Sequence, residues 1–231
     1  MRMIFKSEQA GMVREILQLL FPLSCLLCDS PGSELCNSCR QKIAPKIQYR
    51  ETGRARYWAG AKYGEELAMI ILLAKEQNNS LARNFLADLI VETFMNASRE
   101  FDIENSLFVP IPSSNAANRK RGFRHAHLLA QVAATKIYKS TFKKVEVKDL
   151  LRVNRKVADQ SNLNKAERSR NLSGAYSLIN RRKSGDSDLK GYSLFLLDDL
   201  VTTGSSTEEG LRALQMAGFA PYGVLSAGVS L

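Results

Sequence analysis

The 231-residue chain is 45% apolar and 24% charged, enough for one globular core with a small appendage and too apolar for a protein of long disorder. Its net charge of +10 is uneven: eighteen Lys/Arg stand against four Asp/Glu between Pro110 and Lys183, and the remaining 15 basic and 19 acidic residues leave the rest of the chain at −4. A basic middle suits a polyanionic ligand, a diphosphate sugar or nucleic acid, or else forms a solvated surface. No apolar run approaches a membrane span and no clean signal-peptide order occurs, so a cytoplasmic location is expected.

The first predicted element is a helix over Gly11 to Phe21, where Met12, Val13, Ile16, Leu17, Leu19 and Leu20 have helical spacing. Cys25-x2-Cys28 and Cys36-x2-Cys39 follow and use every cysteine in the chain. Two such pairs, with the turn residues Asp29, Ser30, Pro31, Gly32 and Ser33 between them, match a tetrahedral zinc knuckle with four cysteine ligands. Two disulfides are the alternative, which a cytosolic setting disfavours. Four thiolates leave no open position on the metal, so the expected zinc is structural.

Ala55 to Tyr63 reads as a strand, and Glu65 to Gln77 and Ser80 to Ser98 read as helices. The polar turn between the helices carries Lys75, which either meets a diphosphate or faces solvent at a helix end. Leu107 to Pro112 is a strand ended by prolines. The basic cluster Arg119 to His125 then precedes an alanine-rich helix running through Tyr138, and such a cluster holds phosphate or is solvated. His125 and His127, the two histidines of the chain, are spaced i, i+2 and do not point at one metal. Val145 to Val153 reads as a strand, Asn154 to Asn164 as a polar connection, Lys165 to Asn171 as a short basic helix, and Ala175 to Ile179 as apolar again. A polar insertion over Arg181 to Lys190 leads to the most informative stretch, and a strand within Pro221 to Leu231 closes the chain.

That stretch begins with the apolar run Leu194 to Leu197, followed by Asp198-Asp199-Leu200-Val201-Thr202-Thr203-Gly204-Ser205-Ser206 and an amphipathic helix containing Leu211 and Leu214. Two carboxylates at a strand's end, a small-residue loop and a helix N-terminus make a phosphate site. Backbone N–H groups and the positive helix end favour the anion, and Gly204 lets the backbone close around it. The hydroxyls of Thr202, Thr203, Ser205 and Ser206 can donate to phosphate oxygens, while Asp198 and Asp199 accept from ribose hydroxyls or approach a Mg²⁺. Strands alternating with helices predict an α/β fold, a mainly parallel sheet flanked by helices with ligands at the strands' C-terminal ends.

The segment from Leu194 to Ser206 resembles the phosphoribosyl-diphosphate (PRPP) motif of the type I phosphoribosyltransferases. With the cysteine pairs, Lys75, Pro110-Ile111-Pro112, Arg121-Gly122-Phe123, Asp159-Gln160-x2-Leu163 and Arg168-x2-Asn171-Leu172-x-Gly174-Ala175-Tyr176, the chain is similar to the ComF family, competence-associated proteins that fuse a zinc knuckle to a phosphoribosyltransferase-like domain. The resemblance implies a knuckle domain over 1–48 and a phosphoribosyltransferase-like domain over 49–231. It further implies zinc on Cys25, Cys28, Cys36 and Cys39, Mg²⁺ with PRPP, and ribose hydroxyls on Asp198 and Asp199. Thr202, Thr203, Gly204, Ser205 and Ser206 would hold the 5′-phosphate, and Lys75 the diphosphate. Arg152, Arg155, Gln160 and Arg168 would belong to a loop closing over the site, with Arg168 reaching the reacting groups. Arg124-His125 stands where many relatives carry Asn-Gln, and Val157 where a Thr is usual. The acceptor of a transfer is not named by these motifs. A sensor of PRPP or nucleotide that engages single-stranded DNA or the DNA-uptake machinery is the competing expectation.

Overall fold

The structure is a computed structural model that describes residues 23–52, 55–100, 105–154, 174–179, 189 and 191–230. The chain forms two compact units, 1–42 and 43–231, a division six residues before the one expected. The expected helix over Gly11 to Phe21 lies outside the described residues.

In the first unit, the cysteine-bearing chain doubles back through a bridge between Ser24 and Pro31, with Asp29 at φ 56° and Gly32 at φ 101° making the turn. It then enters α1 (Asn37–Ile43), which carries Cys39.

The second unit is built on a six-stranded sheet. Its strands are β1 (Gln48–Thr52), β2 (Ala55–Lys62), β3 (Asn105–Pro110), β4 (Lys144–Val147), β7 (Ser193–Val201) and β8 (Gly223–Val229), in the order β1-β2-β8-β7-β3-β4. Only β1 runs antiparallel to its neighbour; every other pairing is parallel. Leu194 to Leu197 sit in a strand flanked on both edges and covered on both faces, which explains an apolar run without alternation.

Successive side chains of β7 leave opposite faces of the sheet. Phe195 points to the side covered by α2 (Glu65–Glu76), α3 (Ser80–Glu100) and α5 (His125–Thr141), where its ring lies 5.8 Å from Phe94 and 6.4 Å from Trp58. Leu194 and Leu196 point to the other side, against Leu211 and Leu214 of α6 (Ser205–Met216) and against a two-stranded sheet of β5 (Leu151–Val153) and β6 (Tyr176–Leu178). Thus a mostly parallel sheet lies between two apolar layers.

Three elements differ from the sequence expectation. β1 has four exposed residues in five and no apolar alternation; its ordering comes from backbone pairing with β2. Val145 to Val153 is not one strand. It splits into β4 in the main sheet and β5 in the small one, and Asp149 at the bend accepts from Arg124 and from the His127 ring. The basic cluster is itself largely helical: in α4 (Asn115–Arg121) the Ser114 hydroxyl caps the N-terminus by accepting from Ala117 N–H, and Gly122 at φ 77° ends the helix.

Helix α3 crosses the sheet closely at Gly60 of β2, where a Cβ would lie 2.6 Å from Leu89 Cβ. Gly60→Ala is therefore expected to cost about 1–3 kcal/mol in denaturant unfolding through overpacking. Gly64→Ala, where a Cβ meets nothing within 4 Å, serves as the comparison without overpacking and is expected to cost only what an alanine at the N-cap of α2 costs.

Candidate functional site

The parallel strands end together, and the strand–loop–helix at the end of β7 is the centre of that edge. After Val201 the chain turns through Thr202-Thr203-Gly204, with Gly204 at φ 80°, and enters α6. Gly204, at the N-cap, has no side chain to cap this helix, and only a long contact of 3.4 Å from Ser205 N–H to Thr203 Oγ1 engages its first turn. The loop is held internally instead: the Thr203 and Ser205 hydroxyls lie 3.0 Å apart, and Thr207 Oγ1 donates to the Gly204 carbonyl at 2.8 Å. The uncapped first turn offers N–H groups and the positive end of the helix dipole to an anion. Asp198, Thr202, Thr203, Gly204, Ser205 and Ser206 line one small cleft there.

The two aspartates do different things, as strand alternation requires. Asp198 stands on the α6 face beside the cleft, with a carboxylate oxygen accepting from Asp199 N–H at 2.9 Å. Burial and the adjacent Asp199 charge push its carboxyl well above the usual carboxylate range. Asp199 is 3% exposed on the opposite face, where Lys75 Nζ donates to its Oδ2 at 2.9 Å and His125 Nε2 lies 3.2 Å from the same oxygen. Burial alone would raise this carboxyl, but Lys75 and His125 outweigh burial and hold it well below the usual range. Lys75 is in turn raised, chiefly by the Asp199 charge.

Lys75 and Asp199 are 124 positions apart in sequence, and the fold brings these two expected site residues into direct contact. Next to Lys75, Glu76 pairs with Arg121 at 2.7 Å, tying the end of α2 to the end of α4. Arg152 lies in β5, and its Nε donates to Ser177 Oγ at 3.3 Å. Arg155, Gln160 and Arg168, expected in the closing loop, lie outside the described residues. In the sequence His125 belongs to the basic cluster before the alanine-rich helix and to a histidine pair, and neither pattern names Asp199 as its partner. The structure separates the two rings, His125 toward Asp199 and His127 toward Asp149, a division that local spacing does not encode.

Two larger cavities flank this centre. One of about 380 Å³ shares Thr202, Thr203 and Gly204 with the loop and includes Tyr49, Tyr57 and Ser226. The other, about 460 Å³, lies beside Pro110 to Ser113 and includes Asn118, Arg124, His125 and Arg152.

In the first unit, the four cysteines are free thiols whose sulfurs all lie within 4.8 Å of one another. The Cys28 and Cys36 sulfurs are 3.7 Å apart, close to the edge of about 3.8 Å that a tetrahedron of 2.3 Å zinc–sulfur bonds requires. Cys36 N–H donates to the Cys25 sulfur at 3.4 Å, a contact that suits an anionic thiolate. The Ser38 hydroxyl lowers the Cys36 thiol to about 5, while burial and the neighbouring sulfurs push Cys39 up to about 12. Four thiols this close cannot all ionise without a compensating cation, and the donor set fits a metal ion such as zinc.

Comparison of the sequence with protein-family models and with curated proteins gives no match to either. The geometry defines an α/β protein with a mostly parallel six-stranded sheet, a strand–loop–helix with a glycine N-cap at its edge, and a four-cysteine cluster near the N-terminus. No helix among the described residues is long and apolar enough to cross a membrane.

Elemental analysis of protein purified without chelator is expected to find about one zinc per chain, held by the four thiolates. Cys25→Ser and Cys39→Ser, which remove the two buried ligands, are expected to lose most of that metal.

Proposed function

We propose that this is a ComF-like protein whose larger unit binds PRPP with Mg²⁺ and transfers the phosphoribosyl group to an acceptor. The observation that carries the reading is the assembly at the end of β7: an uncapped helix N-terminus and hydroxyl-lined loop beside Asp198, with Lys75 drawn onto Asp199 behind it. Thr202 through Ser206 hold the 5′-phosphate by backbone N–H and hydroxyl donation. Asp198 is the carboxylate placed to accept from the ribose hydroxyls. Mg²⁺, when bound with PRPP, neutralises the diphosphate, and Lys75 supplies a further positive charge on that side.

Transfer breaks the bond between the anomeric carbon and the diphosphate oxygen, and positive charge develops on the sugar ring. Catalysis therefore comes from positioning and charge placement rather than from a covalent enzyme intermediate. Asp199 acts here through the groups it holds: it fixes Lys75 and orients the His125 ring.

The raised Asp198 carboxyl gives the reading a pH signature. The group must lose its proton to accept from two hydroxyls, so Mg–PRPP affinity, followed by calorimetry, is expected to strengthen as pH rises through that raised value and then level off. Asp198→Asn is expected to bind weakly and without this rise. Failure of the wild type to bind Mg–PRPP at any pH would end the proposal. A protein that acts by holding single-stranded DNA would instead show affinity for DNA falling log-linearly with salt, with no release of diphosphate from PRPP.

A further inference from the structure

The four cysteines of the first unit are not equivalent. Cys25 is fully buried and Cys39 is 4% exposed, whereas Cys28 is exposed and Cys36 half-buried. The split cuts across the two Cys-x2-Cys motifs, since each contributes one buried and one accessible sulfur. Backbone bonds explain the inner position of Cys25. Its N–H donates to the Ser30 carbonyl at 2.9 Å, its carbonyl accepts from Asp29 N–H at 2.9 Å, and its sulfur accepts from Cys36 N–H at 3.4 Å. Cys39 is buried within α1. The two accessible sulfurs, Cys28 and Cys36, are in mutual contact at 3.7 Å although they stand eight positions apart in the chain. Each also has a serine hydroxyl beside it, Ser30 Oγ at 3.3 Å from Cys28 and Ser38 Oγ at 3.0 Å from Cys36.

A cation held by four thiolates has no open position, so reactivity at such a centre passes to its ligands. A coordinating sulfur is deprotonated, and a thiolate within reach of solvent is the form that a peroxide oxidises. Cys28 is open to that reaction, while burial closes Cys25 and Cys39 to it. Once oxidised, Cys28 has the Cys36 thiolate against it.

We propose that Cys28 and Cys36 are a peroxide-reactive pair, joined by oxidation into a disulfide that links the two motifs and releases the metal. The Cys28 thiolate attacks one oxygen of hydrogen peroxide, the O–O bond breaks, and Cys28 becomes a sulfenic acid as hydroxide leaves. The Cys36 thiolate then attacks the Cys28 sulfur, the S–O bond breaks, and a second hydroxide leaves. The two sulfurs have given up two electrons, the peroxide has taken them, and two protons from solvent turn the hydroxides into water. The disulfide removes two of the four ligands, and the two buried thiolates that remain cannot complete a tetrahedral site. A thiol reductant and fresh zinc reverse the change. This chemistry belongs to the first unit and is independent of the phosphate site.

The test treats the full zinc-bearing chain with a few-fold excess of hydrogen peroxide and follows zinc with a chromogenic chelator. The protein is then alkylated and its peptides mapped by mass spectrometry without reduction. Zinc release in step with a single disulfide between Cys28 and Cys36 is expected, with Cys25 and Cys39 recovered as alkylated thiols. Dithiothreitol and added zinc are expected to restore the starting protein. A first disulfide within either motif, Cys25 to Cys28 or Cys36 to Cys39, overturns the pairing. Zinc retained under peroxide, or sulfur carried to sulfinic acid with no disulfide, overturns the switch. A chain that holds no zinc when purified would overturn the release, and the peptide map would still decide the pairing.

Discussion

The second unit depends on where one strand puts two consecutive carboxylates. Asp198 and Asp199 are neighbours in β7, so the sheet must send them to opposite faces. Asp199 goes into the helical layer, where it would be an uncompensated buried charge without Lys75 from the last turn of α2 and His125 from the first turn of α5. This contact joins three elements at one oxygen atom. It also explains why a lysine at the end of a surface helix turns inward rather than to solvent. Asp198 remains beside the loop on the other face, its carboxyl pushed above the usual range by burial and by its neighbour's charge.

A parallel sheet makes this arrangement available because all its central strands end on the same edge. The loops after β2, β3 and β7 therefore converge, and residues from distant parts of the chain meet there. Packing secures the base of the site: Phe195 among Phe94, Phe108 and Trp58 on one face, and Leu194 and Leu196 against α6 on the other. The small unit works by a different principle. Among its described residues few apolar side chains are buried, and its thiols carry conflicting demands, two lowered and one raised, that a single cation bound to all four would reconcile.

What the sequence made legible was local. The run Leu194 to Ser206 announces a buried strand, a small-residue loop and a helix start within thirteen residues, and the two Cys-x2-Cys pairs carry their own spacing rule. The strand at Gln48 to Thr52 was not legible, because its polar residues carry no alternation and its order is lent by β2. The division of Val145 to Val153 was hidden as well, since the bend is enforced by Arg124 and His127 reaching Asp149 from another part of the chain. His125 is the telling case. Its burial follows from a contact with Asp199, 74 positions away, and nothing in the motif around it, a basic cluster before an alanine-rich helix, distinguishes it from a solvated histidine.

The central claim is that the turn from β7 into α6 receives a phosphate of a ribose diphosphate. Backbone amide spectra of the ¹⁵N-labelled chain, recorded with Mg²⁺ and increasing PRPP, address it directly. The account predicts that the largest saturable shifts fall on the amides of Thr203 to Thr207, as N–H groups pointing at the anion are drawn downfield. Shifts absent from that turn, or confined to residues elsewhere in the chain, would contradict it.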